Sequence, residues 1–409
     1  MKHFVRPLCV FLTLSFVILA QEPNWNQFRG PKRDNHSFST GIAKSWAEGG
    51  PKLLWKINTV GIGYANVSFF GDKIFTMGDF NNQCYVIALD RNTGKELWKA
   101  SIGKGGDGGG GYPGPLGTPA CDGENVYAIS QFSDFAALDM KDGKKKWGIN
   151  TQNNLGGKKM DPWGYAMSPI VDGDKILLPI GGNDGTLAAF DKSGKILWRT
   201  DWIKDPAAYT TPVPVEVGGI RHYMLLTGER LVGVSTEGKE LWGTKFPGRI
   251  AVCSDPVLCG DVIMASSSYG VGAYFYRVTK EGENFKKVTS FSGPTQRLIS
   301  HHGGIVAVGE HFYLLTERNL SCVEAKTGTI VWTDPSVGKG SLVYVDGKLI
   351  LRSQDGPVAM VEAAPEGYKE LGRFEQPDRS NRNSWTYPVV TDKKLYLRDQ
   401  NVVLCYDLE

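Results

Sequence analysis

Tryptophan returns along this chain in one local context and at a nearly constant interval. The fullest copy reads Ala88-Leu89-Asp90-Arg91-Asn92-Thr93-Gly94-Lys95-Glu96-Leu97-Trp98. The frame recurs as Ala137, Asp139, Gly143, Trp147 and as Ala189, Asp191, Gly194, Trp198, with shorter copies ending Gly238…Trp242 and Gly328…Trp332. From Trp55 the steps are 43, 49, 51 and 44 residues, then 90, which is two steps of 45. A period of about 40–50 residues with strand-turn-strand content is the mark of a β-propeller.

Each period lays out as four strands. Ser168-Pro169-Ile170-Val171 leads to a turn at Asp172-Gly173-Asp174, then Lys175 to Pro179, then a run ending Ala189-Phe190-Asp191, then a short run ending at Trp198. Runs of this length bounded by Gly, Asp and Asn, with no sustained 3.6-residue period, exclude a helical solenoid. The first turn of the period recurs eight times: Gly71-Asp72, Asp122-Gly123, Asp172-Gly173, Gly218-Gly219, Gly260-Asp261, Gly309-Glu310, Asp346-Gly347 and Asp392-Lys393. Copies five and seven lack the tryptophan, and Phe285 to Val288 and Gly372 to Phe374 are expected in its place. The last copy stops at Leu408, one outer strand short. Lys52-Leu53-Leu54-Trp55 matches Lys95-Glu96-Leu97-Trp98, so the N-terminal segment is expected to complete the C-terminal blade. The expectation is an all-β fold: an eight-bladed β-propeller of four-stranded antiparallel blades, the last closed by the N-terminal strand. Trp55, Trp98, Trp147, Trp198, Trp242 and Trp332 are expected to dock blade on blade as buried aromatics.

Residues 1–20 read as a signal peptide: Lys2, His3 and Arg6 precede a short apolar run from Leu8 to Leu19. The run is too short to span a bilayer comfortably, and no later segment is long enough. Residues 21–409 are read as one propeller domain, expected to be soluble, in a periplasm or outside the cell, and monomeric. Formal charge is +3, or +1 without the leader, and the basic residues are scattered, which gives no support to nucleic-acid binding. Six cysteines remain after the leader. Cys322 and Cys405 fall in register with Ala88, Ala137, Ala189 and Gly233, a position that demands a small buried side chain, so free core thiols are expected. Cys253 and Cys259, about 20 Å apart on an extended segment, cannot pair.

The frame Ala-x-Asp-x-x-Thr-Gly-x-x-x-Trp at Ala88 to Trp98 resembles the tryptophan-docking repeat of the PQQ-like, quinoprotein alcohol dehydrogenase-like β-propellers, a family that includes an outer-membrane assembly lipoprotein. Trp25-Asn26-Gln27-Phe28-Arg29-Gly30-Pro31 is similar to the opening of many bacterial PQQ-like repeat proteins. The resemblance implies either a protein-binding scaffold or a dehydrogenase that uses PQQ with calcium. The chain lacks the adjacent cysteine pair of the dehydrogenases and any segment matching their calcium ligands or catalytic aspartate. It also lacks the lipoprotein's acylated cysteine.

In a propeller, ligands gather at the mouth of the central channel, on loops leading into the innermost strands. Two residues before the residue opening each innermost segment stand Tyr64, Leu116, Ala166, Tyr209, Cys253, His302, Gly340 and Trp385. Together with Trp163, Tyr165, Arg249, His301 and Arg382, the aromatic and cationic members form the candidate binding site. Adjacent histidines on a strand would point to opposite faces, which argues against one shared metal. Asp161, Asp255 and Asp378 are candidate companions should either histidine act in acid–base chemistry. Gly103 to Pro115 is glycine-rich but lacks a following Lys-Ser/Thr or helix, so it reads as a flap near the mouth and not a phosphate loop. Asp34-Asn35-His36 is expected to wrap the surface. The function read from these features is a binding or scaffold module, its mouth holding an envelope protein or a small-molecule ligand. The alternatives are a PQQ-dependent alcohol or sugar dehydrogenase and a hydrolase or lyase using His301 or His302.

Overall fold

The computed structural model describes residues 24–281 and 284–409; the expected leader lies outside the described residues. Eight four-stranded antiparallel sheets follow one another along the chain. In blade one the strands are Ser68–Phe70, Lys73–Phe80, Gln83–Asp90 and Glu96–Lys104, from the channel outwards. The two middle strands are buried along almost their whole length, because neighbouring blades cover both faces, whereas the outer strand is largely exposed. The hydrophobic core therefore lies between blades. Phe75, Val86 and Ala88 of blade one, for example, pack against Val126, Ala128 and Leu138 of blade two.

The repeated frame has a double physical basis. Within a blade, the tryptophan pairs across the sheet with the small residue: Ala88 with Trp98, Ala137 with Trp147, Ala189 with Trp198, Gly233 with Trp242, Cys322 with Trp332 and Cys405 with Trp55. A side chain at Gly233 would stand 2.2 Å from the Trp242 indole nitrogen, which explains why this position stays small. Between blades, the turn glycine rests on the preceding blade's indole. A Cβ at Gly94, Gly143, Gly194 or Gly238 would approach Trp55, Trp98, Trp147 or Trp198 to 2.6–2.8 Å. The indole nitrogens of Trp98 and Trp147 donate onward to the carbonyls of Met140 and Lys192 in the next blade's turn. All six cysteines of the described chain are free, and Cys322 and Cys405 are buried at the position expected.

Blades five and seven solve the missing tryptophan differently. In blade five the register runs Val257, Met264, Phe275, Ser292, so Ser292 and not Phe285 to Val288 stands at the docking position. Three register shifts in the long hairpin Gly272–Glu281 and Asn284–Thr295 account for the difference. Gly328 of blade six still packs there, against the Phe275 ring. Phe285 instead meets His222 of blade four at 5.2 Å. In blade seven Gly372 takes the position as expected, with the backbone and Cβ of Trp46 packed against it, and the Phe374 ring receives Gly50 of the closing segment and meets the Trp46 ring at 5.5 Å.

The last blade is closed by Leu53–Ile57, which pairs antiparallel with Val402–Asp407 in the register Leu53 to Tyr406, Trp55 to Cys405 and Ile57 to Val403. Ahead of this strand, residues 24–46 do not wrap the surface. They cross the channel on the face opposite the mouth and bond to the inner parts of the blades in turn. Phe69 donates to the Trp25 carbonyl, Cys121 exchanges bonds with Asn26, and Val171 donates to the Gln27 side chain. Arg33 reaches Thr211 and Asp255, Arg29 donates to the Ile305 carbonyl, Asn35 pairs with Leu342 and Tyr344, and Ala43 donates to Leu408. Arg33 and Asn35 are fully enclosed as a result. The chain's first described segment is a plug.

Candidate functional site

At the other end of the channel lies a cavity of about 200 Å³. Seven residues of the eightfold register line it, Tyr64, Leu116, Ala166, Tyr209, Cys253, His302 and Trp385, each from the loop before an innermost strand. Two residues deeper, Asn66, Thr118, Ser168 and Thr211 form a second, hydroxyl- and amide-bearing ring. Phe28 of the plug is among the lining residues and meets Tyr387 edge-on at 5.1 Å, so the channel is stopped beneath the cavity.

Six of the nine sequence-nominated binding residues, Tyr64, Trp163, Tyr209, His301, His302 and Trp385, line this one cavity. Tyr165 does not. Its neighbour Ala166 faces the channel, and Tyr165 is buried between blades two and three with Tyr127, Ile129 and Phe135. Arg249 is exposed and lies off the cavity. Arg382 is exposed as well, and its guanidinium donates to the Gly111 carbonyl at 3.1 Å, tying the glycine-rich flap to the loop before blade eight. The flap brings Tyr112 to the mouth, 4.7 Å from Trp385 and 6.2 Å from Tyr64. Phe28, Tyr112, Tyr269 and Tyr387 escaped the sequence reading. The polar second ring was within reach, because its residues are the markers that set the register.

The aromatic wall is continuous. Tyr64 stacks on Trp385 at 4.8 Å, Trp385 meets His302 at 5.4 Å, His302 stacks on His301 at 4.7 Å, and His301 meets Tyr269 at 5.3 Å. The two histidines thus share a face of the cavity, contrary to the strand argument. Residues 301–302 are a bend and not a strand, so alternation does not apply. Lys339 donates to His301 Nδ1 at 2.5 Å and also meets Glu317 at 3.0 Å, while Ser268 donates to Glu317. Glu317 is the carboxylate beside His301, at 3.6 Å. Of the companions nominated from sequence, Asp255 is engaged by Arg29 and Arg33, and Asp378 pairs with Lys56 on the surface.

Burial, reinforced by Lys339, lowers His301 to about 4. Burial, His301 and Lys339 hold His302 well below the usual histidine range. Both rings are neutral near pH 7. Burial, with Asp161 and Asp255 nearby, pushes the Cys253 thiol up to about 12, which removes it as a nucleophile. Burial and Asp161 raise Tyr209, and burial raises Asp161, whose carboxylate accepts from the Ala251 amide. Tyr209 Oη, His302 Nε2 and Trp385 Nε1 are buried without a hydrogen-bond partner among the described residues. The arrangement suits stacking against a flat group with a few polar contacts at its edge.

PQQ with calcium does not fit this lining. None of the lining residues is Asp, Glu, Lys or Arg. A hard divalent cation finds no carboxylate there, and the carboxylates of the quinone find no cationic partner. Among the described residues no group of three or more His, Cys, Asp or Glu side chains is placed to hold a metal.

The class defined by this geometry is an eight-bladed β-propeller with a PQQ-like docking repeat and a closed-bottomed aromatic mouth. The chain belongs to the family described as outer membrane protein assembly factor BamB, whose model matches residues 82–334. Among solved structures it is similar to BamB from Moraxella catarrhalis, with TM-score 0.62 at 14% identity over 87% of this chain and 97% of that one. It is similar to quinohemoprotein alcohol dehydrogenase from Comamonas testosteroni, with TM-score 0.65 at 12% identity over 94% and 80% of the two chains. A europium-containing methanol dehydrogenase gives TM-score 0.62 at 11% identity over 92% and 89%. At these identities the likeness is one of fold. No curated protein matches the chain.

Proposed function

We propose that the protein is an exported binding module that holds a flat, uncharged group in its channel mouth. The group is a side chain presented by an envelope protein, in keeping with the family, or a small molecule of similar shape. The observation that carries this reading is the stopped aromatic cavity, whose uncharged lining includes buried polar atoms of Tyr209, His302 and Trp385 without partners among the described residues. An acid–base role for His301 is not favoured, because its Nδ1 lone pair already accepts from Lys339.

The mouth residues are tested by Trp385→Ala and Tyr209→Phe. Both variants are expected to weaken retention of a partner from an envelope fraction, or of an aromatic ligand followed by tryptophan fluorescence, by about tenfold or more. Retention equal to the parent in both variants would sink the assignment. Protein incubated with PQQ and calcium and then desalted is expected to carry no quinone absorbance. Stoichiometric retention with dye reduction by alcohols would instead establish the dehydrogenase.

A further inference from the structure

The face opposite the mouth carries a second cavity, of about 480 Å³, beside the plug. Its walls include Arg29, Lys32, Arg33 and His36 of the plug and Arg221 of blade four. Arg33 is wholly buried; one of its terminal nitrogens bonds to Thr211 and Asp255, while its Nε and Nη1 have no hydrogen-bond partner among the described residues. Arg29 is 3% exposed and donates to the Ile305 carbonyl, and its Nε likewise has no hydrogen-bond partner among the described residues. The two guanidiniums share one carboxylate, Asp255, which also accepts from the amide and hydroxyl of Thr211. The two carboxylates that line the cavity are engaged: Asp172 accepts from Arg221 and Tyr223, and Asp34 from the His36 amide.

A buried guanidinium with unused donors is costly unless a counter-charge satisfies it. Burial, with Arg29 nearby, depresses Arg33 to about 10, and Asp255 offsets only part of this. Arg29 and Arg33 both take the left-handed backbone region, at φ of 65° and 58°, where the plug turns.

We infer that this lower cavity is a second binding site, separate from the mouth, that takes an oxyanion carried by a small molecule, phosphate or carboxylate. The exposed Lys32 and Arg221 meet it at the open edge, and the buried guanidiniums of Arg33 and Arg29 lie beneath the cavity wall and supply positive charge. The cavity exceeds the size of a single oxyanion, so an organic anion of a few carbons is accommodated.

The test uses the full mature chain with sodium phosphate, sodium citrate or sodium chloride at matched ionic strength. Melting temperature and titration calorimetry are the readouts. At least one of the two oxyanions is expected to raise the melting temperature and bind with measurable heat, and the comparison of phosphate with citrate tells which chemistry is preferred. Lys32→Ala is expected to weaken binding several-fold and Lys32→Glu by about tenfold or more, with melting in chloride unchanged because Lys32 is exposed. Arg33→Met is expected to abolish binding, and circular dichroism reports whether that variant folds. Trp385→Ala is expected to bind as the parent. The inference is overturned if neither oxyanion shifts melting beyond chloride, or if both Lys32 variants bind like the parent.

Discussion

Gly143 and Gly173 occupy the same left-handed backbone region, at φ of 75° and 61°, and differ in what lies beyond the Cα. A Cβ at Gly143 would stand 2.6 Å from the Trp98 ring, whereas nothing lies within 4 Å of one at Gly173. Gly173→Ala is therefore expected to cost about 1 kcal/mol from the backbone alone. Gly143→Ala is expected to cost about 1–3 kcal/mol more, because it forces the indole out of its dock. Denaturant midpoints of the two variants check the difference, and equal midpoints would refute the docking role of the turn glycine. The same scale sets a pH dependence. His301 in the folded protein titrates near 4, below the usual 6.5, so the unfolded chain binds more protons across that interval. Stability from this group is present above about pH 6.5 and is lost as the pH falls toward 4. Unfolding measured at pH 7 and pH 5 is expected to show a smaller drop in His301→Gln than in the parent. A drop of equal size in both would place the titration elsewhere.

Elements show why part of the site was readable and part was not. The mouth residues Tyr64, Tyr209, His302 and Trp385 precede innermost strands at a fixed offset, so the repeat itself located them. Phe28 had no such signal. It belongs to a segment outside the repeat, and its place is fixed by bonds from Trp25, Asn26, Gln27 and Arg29 to four different blades. Likewise Asp34-Asn35-His36 is polar enough to suggest a surface path, yet Asn35 is buried because it completes the edge of Leu342 and Tyr344. Composition cannot report pairing over that separation. The glycine-rich flap was visible as a run, but its closeness to the mouth depends on absent side chains: a Cβ at Gly110 would stand 2.0 Å from the Trp163 indole nitrogen, and one at Gly114 2.5 Å from the Gly63 Cα. Asp107 holds the flap's shape by accepting from the amides of Gly109 and Gly111. Asp107→Ala is expected to raise the rate of limited proteolysis within residues 105–115 several-fold while moving global stability by no more than about 0.5 kcal/mol. A flap cut no faster than in the parent would show that Asp107 does not hold it.

The whole molecule is a ring whose ends meet in blade eight, and that closure governs how it should fail. Local burial in the closing strand is modest: Leu53 and Leu54 are each 39% exposed, and Trp55 and Ile57 are only partly buried. Counted by its own contacts, the strand would contribute about 2–3 kcal/mol. Its removal, however, leaves Val402–Asp407 as an open edge and frees blade eight from the constraint that the ring imposes. Two truncations separate these effects. A chain starting at residue 47 lacks the plug but keeps the closing strand, and a chain starting at residue 58 lacks both. The shorter chain is expected to fall below the longer one by more than the local 2–3 kcal/mol, and to unfold with a shallower, less cooperative transition as blade eight opens ahead of the rest. A peptide of residues 47–60 added in trans is expected to restore part of the loss by occupying the vacated edge. If the two truncations instead unfold at the same denaturant concentration and with the same slope, the ring is held by the blade-to-blade core alone and closure contributes nothing beyond its local contacts.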